Sequence, residues 1–284
     1  MSKIKIAELF YSIQGEGRFM GVPSVFLRTF GCNFTCGGFG MAPGEQSLEA
    51  DTVAANHKIT PFAKYEDLPL VSTGCDSYAS WHPSFKELSP VISSDGIVDR
   101  IMEIIPHGHW EDEHLVITGG EPLLGWQRAY PDLLDHPKMQ GLKEITFETN
   151  GTQPLTPEFA TYLEGWTLDR SWDALTFSVS VKLSCSGETR EDALKPQVVC
   201  DYERYGYTYL KFVVATEADA DEAIETAKIY RAAGFEGPVY LMPLGGVESV
   251  YSMNNRRVAE LAMKHGLRYS DRLQVPLFKN EWGT

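Results

Sequence analysis

Cysteine is scarce in this sequence: five residues among 284, at positions 32, 36, 75, 185 and 200. An odd, sparse set without a secretory leader excludes a disulfide framework and is expected of a chain with reduced thiols. Long apolar runs are also missing. None approaches the roughly 18 residues that would cross a membrane as a helix. The start, Met1-Ser2-Lys3-Ile4-Lys5-Ile6, lacks an apolar signal region, so a cytoplasmic protein is expected. Basic residues are few, 25 Lys and Arg against 39 Asp and Glu, for a net charge of −14. That surplus argues against broad nucleic-acid or anionic-membrane binding.

The most telling absence lies at one position. Gly31-Cys32-Asn33-Phe34-Thr35-Cys36 holds two cysteines in a C-x3-C spacing. A third thiolate at position 39 would complete a C-x3-C-x2-C loop, enough to hold three irons of a 4Fe-4S cluster. That position is Phe39, and the next cysteine is Cys75. Alone, C-x3-C is equally what two packing thiols look like. A structural zinc site wants four Cys or His ligands, and His57 and His82 lack finger-like spacing. A redox pair favours C-x2-C at a helix start, which is absent. Cys185 and Cys200 have no ligand spacing and read as packing thiols.

What is present is ordinary for a soluble globular chain: 43% hydrophobic and 23% charged residues. Short β-prone runs fall at 24–29, 114–118, 143–148, 174–180, 207–214 and 239–242. Helical periodicity lies between several of them, as at Ile97, Ile101, Ile104 and Ile105, over 219–233, and over 254–265. Alternating strands and helices predict an α/β fold with a parallel sheet. Six units are too few for a closed eight-stranded barrel. A partial (β/α)6 barrel is expected, with a flat doubly wound sheet as the alternative. The chain reads as one domain, 1–284, interrupted at about 37–74 by a Gly- and Pro-containing loop without periodicity.

Several strand ends carry residues able to do chemistry. Thr118-Gly119-Gly120-Glu121-Pro122 is a turn whose glycines would let a ligand approach the backbone. Ser180-Val181-Lys182 and Leu241-Met242-Pro243-Leu244-Gly245 close two further strands, and Glu148-Thr149-Asn150-Gly151 another. Ligand sites in such folds gather at carboxyl ends of strands. Each segment is also compatible with a plain turn. In Tyr11-Ser12-Ile13-Gln14-Gly15-Glu16-Gly17, Gln and Glu suit the edges of a heterocycle, or form a polar hairpin loop. Arg28 suits a bidentate clamp on a carboxylate, or a structural ion pair.

Together these segments resemble the 7-carboxy-7-deazaguanine synthases of the radical S-adenosylmethionine superfamily. The resemblance rests on Tyr11 to Gly17, on Gly21-Val22-Pro23-Ser24-Val25-Phe26-Leu27-Arg28, and on Gly31 to Cys36. Cys75-Asp76-Ser77-Tyr78 looks like the family's third cluster cysteine with its following Asp-Thr and aromatic, with Ser for Thr. Thr118 to Pro122 resembles the superfamily's adenosylmethionine turn, and Arg272-Leu273-Gln274-Val275 a C-terminal family segment. The resemblance implies a radical S-adenosylmethionine barrel and a 4Fe-4S cluster on Cys32, Cys36 and Cys75. The family's cluster loop is usually shorter, so residues 37–74 are expected to fold outward as an insertion that returns Cys75, since loop closure costs grow only logarithmically with length. It implies S-adenosylmethionine contacts at Asp76, Gly120, Glu121, Ser180, Lys182, Met242 and Pro243. Magnesium is implied on Ser77. Substrate contacts are implied at Ile13, Gln14, Gly15, Glu16, Arg28, Thr118 and Thr284. The implied reaction converts 6-carboxy-5,6,7,8-tetrahydropterin to 7-carboxy-7-deazaguanine, with loss of ammonia, in queuosine-type biosynthesis. A flavodoxin-like electron donor and a homodimer are the implied partners. Two alternatives stand beside it. A glycyl-radical-activating enzyme would act on a protein and leaves the Gln14-Gly15-Glu16 block unexplained. The other is a non-catalytic metal-binding module.

Overall fold

The computed structural model describes residues 2–284. A nine-stranded sheet runs through it in the order β3-β1-β2-β4-β5-β6-β7-β8-β9. Strands β1 (Lys3–Ile13) and β2 (Pro23–Thr29) form an antiparallel hairpin at one side. Helix α1 (Glu49–Ile59) follows in the insertion, then β3 (Val91–Ser93), which pairs with β1 at the sheet edge. From β2 onward the sheet is parallel. Helix α2 (Ser94–Ile104) leads to β4 (His114–Gly119), and α3 (Tyr130–Leu134) to β5 (Ile145–Thr149). Helix α4 (Pro157–Leu168) leads to β6 (Leu175–Val179). Helices α5 (Arg190–Ala193) and α6 (Pro196–Tyr202) precede β7 (Tyr207–Val214). Helix α7 (Glu217–Ala233) precedes β8 (Val239–Pro243), and α8 (Glu248–His265) precedes β9 (Arg268–Tyr269) and α9 (Gln274–Phe278).

Local chemistry explains these elements. Strand β7 is almost wholly aromatic and β-branched, which suits a pleated, buried strand. Helix α7 begins with a reciprocal capping box between Thr216 and Asp219 and stops at Gly234 with φ 110°. Helix α4 has Thr156 as N-cap and Pro157 in its first turn.

The main core packs the helices on one face of the sheet. Ile97, Ile101, Phe159, Leu163, Ala223 and Val258 meet Leu27, Ile117, Phe147, Phe177, Phe212 and Leu241 there. The other face borders a cavity, so the doubly wound alternative, with helices on both faces, does not hold. The sheet is open: β3 and β9 are its edges. All six expected strands are present within two residues of their expected limits. Strand β1 was not anticipated, and Tyr11, Ser12 and Ile13, read as part of a loop, belong to it.

The insertion corrects the expected outward loop. It carries α1, whose only buried residues are Val53 and Ala54, too few for a visible periodicity. Those two join Tyr65, Leu68 and Val71 in a second core with Ala7, Tyr78, Ala79 and Phe85. Tyr78 meets Phe85 and the C-terminal Trp282 edge-to-face. The insertion therefore folds back on the sheet's first strand and on the segment that follows Cys75. Phe85 is fully buried at that contact. Replacing it with Ala should lower the unfolding free energy by about 3–5 kcal/mol. Urea denaturation measures this; a loss below about 1 kcal/mol would show that the second core adds little.

Candidate active site

The alternation of the strands positions the site. Along β2, Val25 and Leu27 enter the helix-covered core while Phe26 and Arg28 line the cavity. In the same way Thr118 opposes Ile117, Glu148 opposes Phe147, Lys211 opposes Phe212, and Met242 opposes Leu241. The cavity measures about 250 Å³ and sits over the carboxyl ends of the parallel strands.

Cys32, Cys36 and Cys75 all line it as free thiols. Phe39, standing where an uninterrupted loop would have its third cysteine, packs with them against Phe34 and Ala193. The neck of the insertion is laced shut. Gly74 N donates to Phe39 O at 2.7 Å, and Ser47 N to Gly37 O at 2.8 Å. The Glu49 carboxylate accepts from Ser72 N, Ser72 Oγ and Thr73 Oγ1 at 2.6–2.7 Å. A long excursion thus ends beside its start, delivering Cys75 to the other two cysteines.

Cys36 has the left-handed φ of 49°, uncommon for a residue with a side chain. Glu188 Oε1 holds it there, accepting from Thr35 N at 2.9 Å and Cys36 N at 2.7 Å. Gly120 packs directly on the cysteine loop: a Cβ there would collide with the Gly31 carbonyl and the Cys32 Cβ. Burial pushes the Cys32 thiol up to about 12 and raises Cys36 and Cys75 as well, with Lys182 opposing in each case. Without a bound metal these thiols stay protonated at neutral pH; bonded to iron they would be held as thiolates. Among the described residues no group of three or more Cys, His, Asp or Glu is placed to hold a single ion. A structural zinc site needs its ligands converging on one atom. A cluster makes no such demand, because each cysteine binds a different iron.

A chain of buried charges runs beside the cysteines. Glu16 accepts from Lys211 Nζ at 2.5 Å, from Arg272 Nε at 3.2 Å and from Gln274 Nε2 at 2.9 Å. Arg272 also donates to Asp76 Oδ2 at 2.5 Å and to the Gly245 carbonyl. Ser77 Oγ lies 3.3 Å from Asp76 Oδ1 and accepts from Arg28 Nη1 at 3.1 Å, while Arg28 Nε donates to Glu8 at 2.7 Å. Arg28 is therefore first a structural ion pair; its Nη2 has no protein partner among the described residues. Burial raises the Glu16 carboxyl, but Lys211 and Arg272 outweigh it and bring it down to about 2. Among the described residues Lys182 is the cavity cation without a carboxylate partner, and its Nζ donates to Ser180 Oγ alone, at 2.9 Å.

The cavity brings together Ile13, Gln14, Gly15, Glu16, Arg28, Thr118 and Thr284 with Asp76, Ser77, Gly120, Ser180, Lys182 and Met242. Glu121 and Pro243 are the exceptions, since neither lines it. Glu121 is fully buried, and its carboxylate accepts from Leu123 N, Thr149 Oγ1 and Asn150 N at 2.7–3.0 Å. It ties the end of β4 to the end of β5. Gly15 is needed by the protein itself, since a Cβ would strike the Gln274 side chain. Lys211 escaped the sequence reading, and Glu148 was read only as part of a strand-end segment, without a role of its own. Glu148 accepts from Gln14 Nε2 at 3.1 Å and from Thr118 Oγ1 at 3.0 Å. Both are charges at alternate positions of apolar strands, which was the available signal.

An open α/β sheet with three cysteines lining one cavity is the arrangement expected of an enzyme of the radical S-adenosylmethionine class. No family model matches the chain. It is 32% identical to the 7-carboxy-7-deazaguanine synthase of Halobacterium salinarum, over 98% of this chain and 91% of the relative. The synthase of Pyrobaculum aerophilum is 27% identical over 99% and 97%, and that of Rhodopirellula baltica 28% over 100% and 90%. The chain belongs to the 7-carboxy-7-deazaguanine synthase family. The crystal structure of QueE from Escherichia coli shares the fold, with a TM-score of 0.55 at 20% identity, covering 95% of this chain and 94% of that one.

The low carboxyl value of Glu16 has a pH consequence. Its folded value of about 2 lies below the ordinary 4.5. The pairing thus stabilises the fold fully above about pH 4.5, and this is lost as pH falls through 2. The stability gap between the native chain and Glu16→Gln should narrow as pH drops across that window. Denaturation at a series of pH values tests this, and a constant gap would reject the pairing.

Proposed function

We propose that the chain converts 6-carboxy-5,6,7,8-tetrahydropterin to 7-carboxy-7-deazaguanine with release of ammonia. One observation carries this: the Gln14-Gly15-Glu16 loop and the three cysteines face a single cavity. Cys32, Cys36 and Cys75 would hold a 4Fe-4S cluster and leave one iron open. Bound there, cluster and S-adenosylmethionine supply one-electron reduction and a hydrogen-abstracting radical. The protein's residues bind, orient and shield.

Lys182, free of a carboxylate partner among the described residues, suits an anionic group of S-adenosylmethionine, and Gly120, Ser180 and Met242 line the same cavity. Asp76 is held by Arg272, so its Oδ1 edge is the part left for a ligand. The substrate carboxylate is assigned to Arg28, whose Nη2 remains available. Gln14 and Thr118, both bonded to Glu148, are assigned to the pterin edge. Magnesium is assigned to Ser77, where the hydroxyl and the Asp76 carboxylate offer the oxygen donors a hard cation prefers. Arg28 already donates to that hydroxyl, so ion and guanidinium compete for it. The last residues wall one side and limit water: Trp282 Nε1 donates to Leu68 O at 2.9 Å and Asn280 Nδ2 to Gly246 O at 2.9 Å. A flavodoxin-like electron donor and a homodimer complete the proposal by family likeness.

Anaerobic reconstitution tests the cysteine assignment: Cys75→Ala should lose the iron–sulfur absorption and bind iron only at background. Unchanged iron content would overturn it. The reduced, reconstituted native chain should form 5′-deoxyadenosine and, given the carboxytetrahydropterin, the deazaguanine acid. 5′-Deoxyadenosine without that product would reject the substrate and retain the enzyme class.

A further inference from the structure

Strand β1 changes face part-way along. Ile4 and Ile6 enter the helix-covered core, and Leu9 and Tyr11, one residue out of phase with them, pack against the same core. Strict alternation cannot serve both pairs. A β-bulge makes the change. Ile6 pairs with Thr29 and Glu8 with Arg28, so Ala7 is an extra residue. Without it, Glu8 would follow Ile4 and Ile6 into the apolar core. With it, Ala7 joins the second core, while Glu8 and Phe10 line the cavity. Bulges re-aim side chains and gather beside active sites. This one places a carboxylate directly opposite Arg28.

Glu8 Oε2 accepts from Arg28 Nε at 2.7 Å, and both side chains are largely buried, 7% and 17% exposed. Ser77 Oγ accepts from Nη1 at 3.1 Å. Two of the three guanidinium nitrogens are thus fixed. The group is planar, so the direction of the third is fixed with them. The other carboxylates of the cavity have their own donors: Asp76 has Arg272, Glu16 has Lys211, and Glu148 has Gln14 and Thr118. We propose that Glu8 is the positioning residue of the substrate-carboxylate site, holding Arg28 so that Nη2 alone is offered to that carboxylate. The inference rests on the assignment of the substrate carboxylate to Arg28. Glu8 acts through the arginine and does not touch the substrate. Its removal has two opposed effects. Arg28 gains uncountered charge, which favours any anion, but it loses its anchor at Nε. A buried guanidinium needs a counter-charge, and Asp76 and Glu148 of the same cavity are left to claim it. The second effect wins, and the guanidinium turns from the substrate.

The reconstituted native chain, Glu8→Ala and Glu8→Gln are titrated by anaerobic calorimetry, with S-adenosylmethionine present and no reductant, so that nothing turns over. The two ligands are 6-carboxy-5,6,7,8-tetrahydropterin and tetrahydropterin lacking the carboxylate. The native chain should prefer the carboxylated ligand. Glu8→Ala should lose about tenfold of that preference, the worth of one charge-assisted hydrogen bond. Glu8→Gln keeps an acceptor for Nε and should retain most of it. A purely structural loss would weaken both ligands alike and leave the preference unchanged. That result overturns the inference alone, as does Glu8→Gln falling as far as Glu8→Ala. A native chain without the preference overturns the Arg28 assignment and this inference with it. Should Glu8→Ala fail to fold, Glu8→Asp serves, since its carboxylate is one methylene short of Arg28. Its preference should also fall, and an unchanged one overturns the inference.

Discussion

Arg272 joins three segments that the chain keeps far apart. Its guanidinium reaches Glu16 on the loop after β1, Asp76 beside the third cysteine, and the Gly245 carbonyl after β8. A buried guanidinium is tolerable only when its donors are matched, and a buried carboxylate only when it is countered. Each of these groups therefore holds the others in register. Remove the arginine, and Asp76 loses its ion pair while Glu16 is left with Lys211 alone. The network runs onward through Lys211 in one direction and through Ser77, Arg28 and Glu8 in the other. Residues assigned to substrate and residues assigned to cofactor thus share one electrostatic frame.

The insertion obeys a related constraint. Closing a longer loop costs entropy that grows only logarithmically with length, so an extra segment inside the cysteine loop is tolerable if its ends are pinned. Glu49, Ser47 and Gly74 pin them. The second core anchors the rest, with aromatic contacts that include Trp282 near the C-terminus. The same aromatic cluster therefore seats the insertion and places the tail that walls the cavity.

Much of the framework was legible in the sequence. The runs at 24–29, 114–118 and 207–214 are strands because β-branched and aromatic residues fill them. Helix α7 was visible from its Ala spacing. Strand β1 was less visible, since Lys3, Lys5 and Glu8 interrupt its apolar residues and a bulge breaks its register near Glu8. Helix α1 was invisible because it buries too little to show a period. Within the site, the cysteines, the Gly-Gly turn and Lys182 could be located from motif and strand end. Glu121 could not be placed: the same motif serves a ligand contact or an internal tie, and only its three hydrogen bonds decide for the tie.

The sequence by itself determined the alternation of strands and helices, the open parallel sheet, and the side of the sheet where chemistry gathers. These follow from periodicity and from where glycine and polar residues interrupt it. The tertiary structure alone decided that Cys75 stands with Cys32 and Cys36, that Arg28 and Glu16 are already ion-paired, and that Glu121 is an internal tie. Such facts depend on contacts between residues tens to hundreds of positions apart. Local pattern carries no record of them, because they arise from the burial of charge and the closure of a long loop.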